Sequence, residues 1–171
     1  MTRPAPHPFW QFSLRTYGKP GVEQACLRLQ DHHGADVNLV LLCCWAAVIG
    51  RGPLDTERIR AAMSATERWQ AEIIGPLRAA RRSLKRDFEG VAADQCSELR
   101  KSIGRAELEC EHAEQLLLAR QVEALPQAPE VDPALSARTS IEGYLAALGA
   151  RLDKTAQEDI DTVIAAGRRG T

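Results

Sequence analysis

Apolar residues recur at steps of three and four along most of the chain, and no alternating polar–apolar run exceeds four residues. That pattern predicts an all-α protein without a sheet. The first helix opens at His7-Pro8, where the missing proline N–H costs nothing, and stops at Gly18. Phe9, Phe12 and Tyr17 point inward, with Trp10 on a neighbouring flank. A second helix runs from about Pro20 to Gly34 with Val22, Ala25, Cys26 and Leu29 as its buried stripe. Asp36 then stands where an N-cap belongs. Residues 37–49 follow as a helix apolar nearly all round, and such a helix must be enclosed by others, so it is the expected centre of the bundle.

The pattern after Pro53 predicts a long antiparallel hairpin over residues 55–125. Its first arm carries the stripe Trp69, Ile73, Leu77, Ala80, Leu84, Phe88 through Gly75-Pro76, where lost hydrogen bonding predicts a bend. Its second arm, residues 94–125, reads as a heptad seam of Cys96, Leu99, Ile103, Ala106, Cys110, Ala113 and Leu117. The exposed fraction of that seam decides between a self-contained hairpin and a homodimer. "PQAPEVDP" is a proline-rich linker over residues 126–133. Two short helices in residues 134–167 are expected to start at the capping boxes Thr139-x-x-Glu142 and Thr155-x-x-Glu158, with Gly167 closing the last. The whole, residues 1–171, is expected to be a single helical domain with an aromatic-rich core over residues 8–53.

Composition narrows the partners. Lys and Arg number 22 against 23 Asp and Glu, a net charge of −1, so no global field draws the chain to nucleic acid, an unlikely partner, or to an anionic membrane. The longest apolar run, residues 39–49, falls well short of the roughly 20 needed to span a bilayer, and the opening "MTRPAPHPFWQFSLR" holds no apolar stretch of signal-peptide length, so export by that route is not expected. Five cysteines, an odd number with two adjacent, make a poor disulfide framework and point to a reducing cytoplasm.

Two places could carry chemistry. The first is the polar corner with Asp31, His32, His33, Asp36 and Asn38. Adjacent histidines lie about 100° apart on a helix and cannot chelate from one face, so no metal is expected there. One reading makes the corner a cap: imidazoles at a helix C-terminus, a carboxylate at the next N-terminus. The alternative makes it a pocket around Trp10, Tyr17, Asp31, Asp36 and Asn38, because an amide in the first turn of an apolar helix needs a partner. The second place is the basic run Arg78, Arg81, Arg82, Lys85 and Arg86. It forms either an anion-binding patch or a face paired with Glu98, Glu107, Glu109, Glu111 and Glu114 of the opposite arm. Cys43 and Cys44, inside the apolar helix, read as inert core residues. No phosphate loop, nucleophile elbow or cysteine–histidine signature appears, so no catalytic residue and no cofactor is assigned.

The stretch "FWQFSLRTYGKPGVEQACLRLQDHHGADVNLVLLCCW" resembles a small uncharacterised proteobacterial family. The shared features are Phe9 to Ser13, Gly21-Val22, Cys26 to Asp31 and Gly34 to Asn38, joined by "ERWQAEIIGPLRAARRSLK"; the likeness covers residues 9–125. The resemblance implies a cytoplasmic domain of unknown function and transfers no catalytic residue. The expectation is a non-enzymatic adaptor or regulatory domain that binds a protein partner through the basic face and the aromatic first helix. The alternative expectation is a small-molecule binder.

Overall fold

The computed structural model describes residues 7–86 and 88–168. Among them the regular structure is helical throughout: α1 (Pro8–Tyr17), α2 (Val22–His33), α3 (Val37–Val48), α4 (Thr56–Trp69), a π-helical segment (Gln70–Ile74), α5 (Gly75–Ser83), α6 (Ala93–Glu123), α7 (Pro133–Ala147) and α8 (Lys154–Arg168). The fold is an all-α bundle.

Local chemistry sets the early boundaries. His7 Nδ1 accepts from the Phe9 N–H and Pro8 takes the first helical position of α1. Gly34 ends α2 at φ +68°, a left-handed conformation that a Cβ disfavours. Asp36 caps α3 by accepting the Asn38 N–H at 2.8 Å, an arrangement worth about 1 kcal/mol. Ten consecutive residues of α3, 38–47, are buried, because α1, α2, α6, α7 and α8 all pack on it. Leu42 and Val40 are wholly enclosed, and Phe9 of α1 stacks on Trp45 with ring centroids 5.0 Å apart. Each such aliphatic side chain contributes about 1.5–3 kcal/mol of transfer free energy. Arg28 of α2 forks onto the buried Asp159 of α8 and ties the periphery to the same core.

The hairpin is antiparallel: Trp69 Nε1 donates to the Cys110 carbonyl, while Arg81, later in the first arm, meets Glu107, earlier in α6. The bend at Gly75-Pro76 takes the form of the π-helical segment. The Gly75 N–H reaches the Gln70 carbonyl, five residues back. A π turn admits one extra residue and so rotates everything after it by about 100°. The expected stripe therefore slips: Ile74 is fully buried while Ile73 is only half-buried, Ala80 is exposed, and Arg78 and Arg81 turn toward α6. Phe88, expected at the end of that stripe, is exposed.

The opposite arm is corrected in the same way. Of the expected heptad seam only Cys96 is buried, and Leu99 is 53% exposed. The inward face of α6 runs instead through Glu107, Glu111, Glu114, Leu118 and Val122, steps of four and three in a different phase. Arginines presented by the rotated α5 demand carboxylates opposite them, and α6 also packs on α3, where Asn38 meets Glu114 and Gln115. Two starts also shift. Asp132-Pro133 opens α7, with Asp132 accepting the Leu135 N–H, so Thr139 lies inside the helix and bonds back to Leu135. Asp153 accepts the Ala156 N–H at the start of α8, ahead of Thr155. Aspartate followed by the first helical residue is the stronger start signal in both. Gly167 does not close α8; it is buried within it against Phe12 and Cys44.

Candidate ligand site

The corner of residues 31–38 is folded around two carboxyl groups. Asp36 and Glu114 face one another, and the Gln70 amide of the π-helical segment donates to both: 3.0 Å to Asp36 Oδ2 and 2.9 Å to Glu114 Oε1. Asn38 Nδ2 donates to Glu114 Oε2 at 2.6 Å, and the Asp36 N–H donates to the Tyr144 hydroxyl of α7 at 2.8 Å. Burial, joined by the Asp36 charge, pushes the Glu114 carboxyl up to about 8. Burial raises Asp36 as well, against hydrogen bonds that lower it. Two acids hydrogen-bonded to one another in a site this dry share one proton. Their oxygens are engaged by Asn38 and Gln70, so the pair stitches α3, α6 and the π-helical segment together.

The amide chain continues outward from this pair. Because Asn38 spends its Nδ2 on Glu114, its Oδ1 faces Gln115, which donates Nε2 at 2.7 Å. That fixes the Gln115 amide: its Oε1 is left on the far side, buried and without a hydrogen-bond partner. Ser13 Oγ of α1 is in the same condition. Ser13 is 4% exposed and Gln115 3%. An unmet buried acceptor costs about 1–3 kcal/mol, and two of them belong to residues that line one cavity.

Both residues line that cavity, of about 470 Å³, between α1, α2, α5 and α6. Trp10 and Tyr17 form its aromatic wall, and Trp10 lies against His112 with centroids 4.4 Å apart. Leu14, Leu27 and Leu108 also line it yet remain substantially exposed, which makes an apolar rim. Burial pushes the Tyr17 phenol up to about 12, so it stays protonated. The opposite wall is ionic. Arg78 and Arg81 both grip Glu107, and Arg78 also holds one oxygen of Glu111 at 2.8 Å. Burial pushes Glu107 up, but the two guanidiniums outweigh it and hold the carboxyl below its usual range. Glu111, less fully paired, is raised by burial. A second, more open hollow of about 610 Å³, lined by Arg60, Met63, Glu67 and Gln70 among others, borders the other side of Asp36.

Trp10, Tyr17, Asp36 and Asn38 therefore meet in one cavity, and Arg78, Arg81 and Arg82 of the basic run join them. Asp31 is not in its lining; it is exposed on the last turn of α2, 3.9 Å from Arg82. Lys85 and Arg86 follow the end of α5 at Ser83 and stand exposed in a turn rather than on one helical face. Ser13, Gln70 and Gln115 had no distinguishing mark in the sequence, and Glu114 stood out only as one of the glutamates facing the basic run. Cys43 and Cys44 are buried, and burial pushes Cys43 up to about 12 and raises Cys44 well above its usual value. Among the described residues no three His, Cys, Asp or Glu converge as a metal site, and no helix is long and apolar enough to cross a membrane.

A family model described as a protein of unknown function, DUF2390, matches residues 8–118. The chain belongs to this family. The matched span runs from the first residue of α1 to Leu118, so it takes in Ser13, Asp36, Asn38, Glu114 and Gln115. No curated protein and no solved structure matches the chain.

Proposed function

We propose that this protein is a cytoplasmic, non-enzymatic binding protein for a small amphipathic molecule, seated in the cavity between α1, α2, α5 and α6. The observation that carries the reading is the pair of buried, unpartnered oxygens, Ser13 Oγ and Gln115 Oε1, beneath an aromatic wall. Binding sites combine an apolar enclosure with a few polar groups that set orientation, and about 470 Å³ lies within their usual range. A binding role suits the engaged state of the Asp36–Glu114 pair, whose oxygens are committed to structural hydrogen bonds. Native mass spectrometry of gently purified protein tests the reading. A co-purifying metabolite is expected, lost on Leu27→Trp, which fills the rim, and retained on Leu99→Trp, which lies outside the cavity lining. Equal retention in both variants, or no bound metabolite together with no ligand-induced rise in melting temperature, counts against it.

A second reading keeps the domain as an adaptor for a protein partner, with the proteobacterial signature of residues 9–45 as its family mark. It rests on Arg82, Lys85 and Arg86, which stay exposed once Arg78 and Arg81 are paired, and on the exposed Phe88 and Leu99 of the hairpin, where a second copy of the chain could dock. Charge reversal at Lys85 and Arg86 leaves partner recovery unchanged if the cavity, and not this face, is the site.

A further inference from the structure

Three arginines line the cavity, and the two inner ones, Arg78 and Arg81, are each engaged by carboxylates. Arg78 Nε and Arg81 Nε both point at Glu107, and the second arm of Arg78 holds Glu111. Arg82, at the edge, keeps only a 3.9 Å contact with Asp31. Two oxygens of the lining residues Ser13 and Gln115 lack a partner altogether. Gln115 Oε1 is a carbonyl oxygen and can only accept. Its orientation follows from the chain of amides that starts at Glu114, so it is not free to exchange places with Nε2. Ser13 Oγ can accept or donate. Arg78 engages a single oxygen of the raised, half-buried Glu111.

We infer that the ligand is a hydrogen-bond donor, a ring-bearing amine, amide or alcohol that is uncharged or cationic, with its N–H or O–H against Gln115 and Ser13 and its apolar body along Trp10 and Tyr17. This inference rests on the small-molecule reading above and specifies its chemistry. An anionic ligand would meet the carboxylates of Glu107 and Glu111 beside the arginines and would leave the Gln115 carbonyl unmet. A donor meets that carbonyl and leaves the ion pairs standing.

Isothermal calorimetry with four related probes tests it: indole, tryptamine, 1-methylindole and indole-3-propionate. The ring is nearly constant; the donor is removed in the third and an anion added in the fourth. Indole is expected to bind about tenfold more tightly than 1-methylindole, the worth of one satisfied hydrogen bond. Tryptamine binds at least as tightly as indole, and indole-3-propionate more weakly than both. Ser13→Ala or Gln115→Met weakens indole and leaves 1-methylindole unchanged; Ser13→Ala removes a hydroxyl that bonds to nothing, so this variant folds. Equal binding of indole and 1-methylindole overturns the inference, as does tightest binding by indole-3-propionate. If that tightest binding is abolished by Leu27→Trp, the cavity stands and only its proposed chemistry falls. If no probe binds at millimolar concentration, the donor inference falls, and a metabolite co-purifying in a Leu27-dependent manner still supports the cavity.

Discussion

Replacing Glu114 by glutamine tests the shared proton at the centre of the corner. In the unfolded chain both carboxyls titrate near 4. In the folded protein burial raises both, Glu114 to about 8. Between roughly pH 4.5 and 8 the native state therefore holds a proton that the unfolded state has released. A raised carboxyl contributes stability that is complete below its unfolded pKa and is lost as pH climbs through the folded one. The ceiling for one proton is about 1.4 kcal/mol per pH unit. In a chain of this size 1 kcal/mol moves the melting temperature by about 2–4 °C, so wild type should fall by up to about 3–5 °C per unit from pH 6 to 8. The other charged groups do not cancel this. Glu107, held low by Arg78 and Arg81, loses its contribution only as pH falls below the carboxylate range, and Glu111, which is raised, acts with the same sign as Glu114. Arg78 favours ionised Asp36 but remains unchanged in the variant. Glu114→Gln supplies a permanent donor toward Asp36 and an acceptor toward Asn38, with Gln70 left to readjust. It is expected to cost about 1 kcal/mol at pH 6, where the shared proton already serves, and to be the more stable protein at pH 9. Circular-dichroism melting curves at half-unit intervals read the effect. Parallel curves for the two proteins, or a wild-type melting temperature that climbs from pH 6 to 9, refute the reasoning.

Two further outcomes follow from packing. Gly75→Ala, a change that ordinarily stabilises a helix, should here destabilise by about 1–3 kcal/mol in urea titrations, because the new Cβ would sit 2.9 Å from the Gln70 carbonyl oxygen; a gain in stability would mean that the π turn is dispensable. Thiol labelling of the native protein followed by peptide mapping should modify Cys110, half-buried on α6, well before Cys26, Cys43 and Cys44, whose thiols burial holds protonated. Labelling of Cys43 as fast as Cys110 would show that α3 is not the closed centre described.

The helical class, the enclosure of α3 and the boundaries at His7-Pro8, Gly34 and Asp36 were legible because each depends on chemistry within a few residues: a missing N–H, a left-handed glycine, a carboxylate over free amides. The same local signals misled at Thr139 and Thr155, where an aspartate upstream satisfied the helix start first. The face of α6 turned toward its neighbours could not be read from α6 at all. It depends on one extra residue inserted at Gln70–Ile74 in another element, which rotates Arg78 and Arg81 inward and makes glutamates, not Leu99, the complementary surface.

The candidate site divides along the same line. The amino-acid sequence determined that Asp36 would cap and that Asn38 would need a partner, since both follow from position in a helix's first turn. Only the tertiary structure decided that the partner is Glu114, 76 residues away, and that the Gln115 carbonyl is thereby left buried without a partner, on a residue that lines the same cavity as Ser13. Hydrogen-bond direction is passed from one side chain to the next across α3 and α6, and a contact between distant helices leaves no periodicity in either of them.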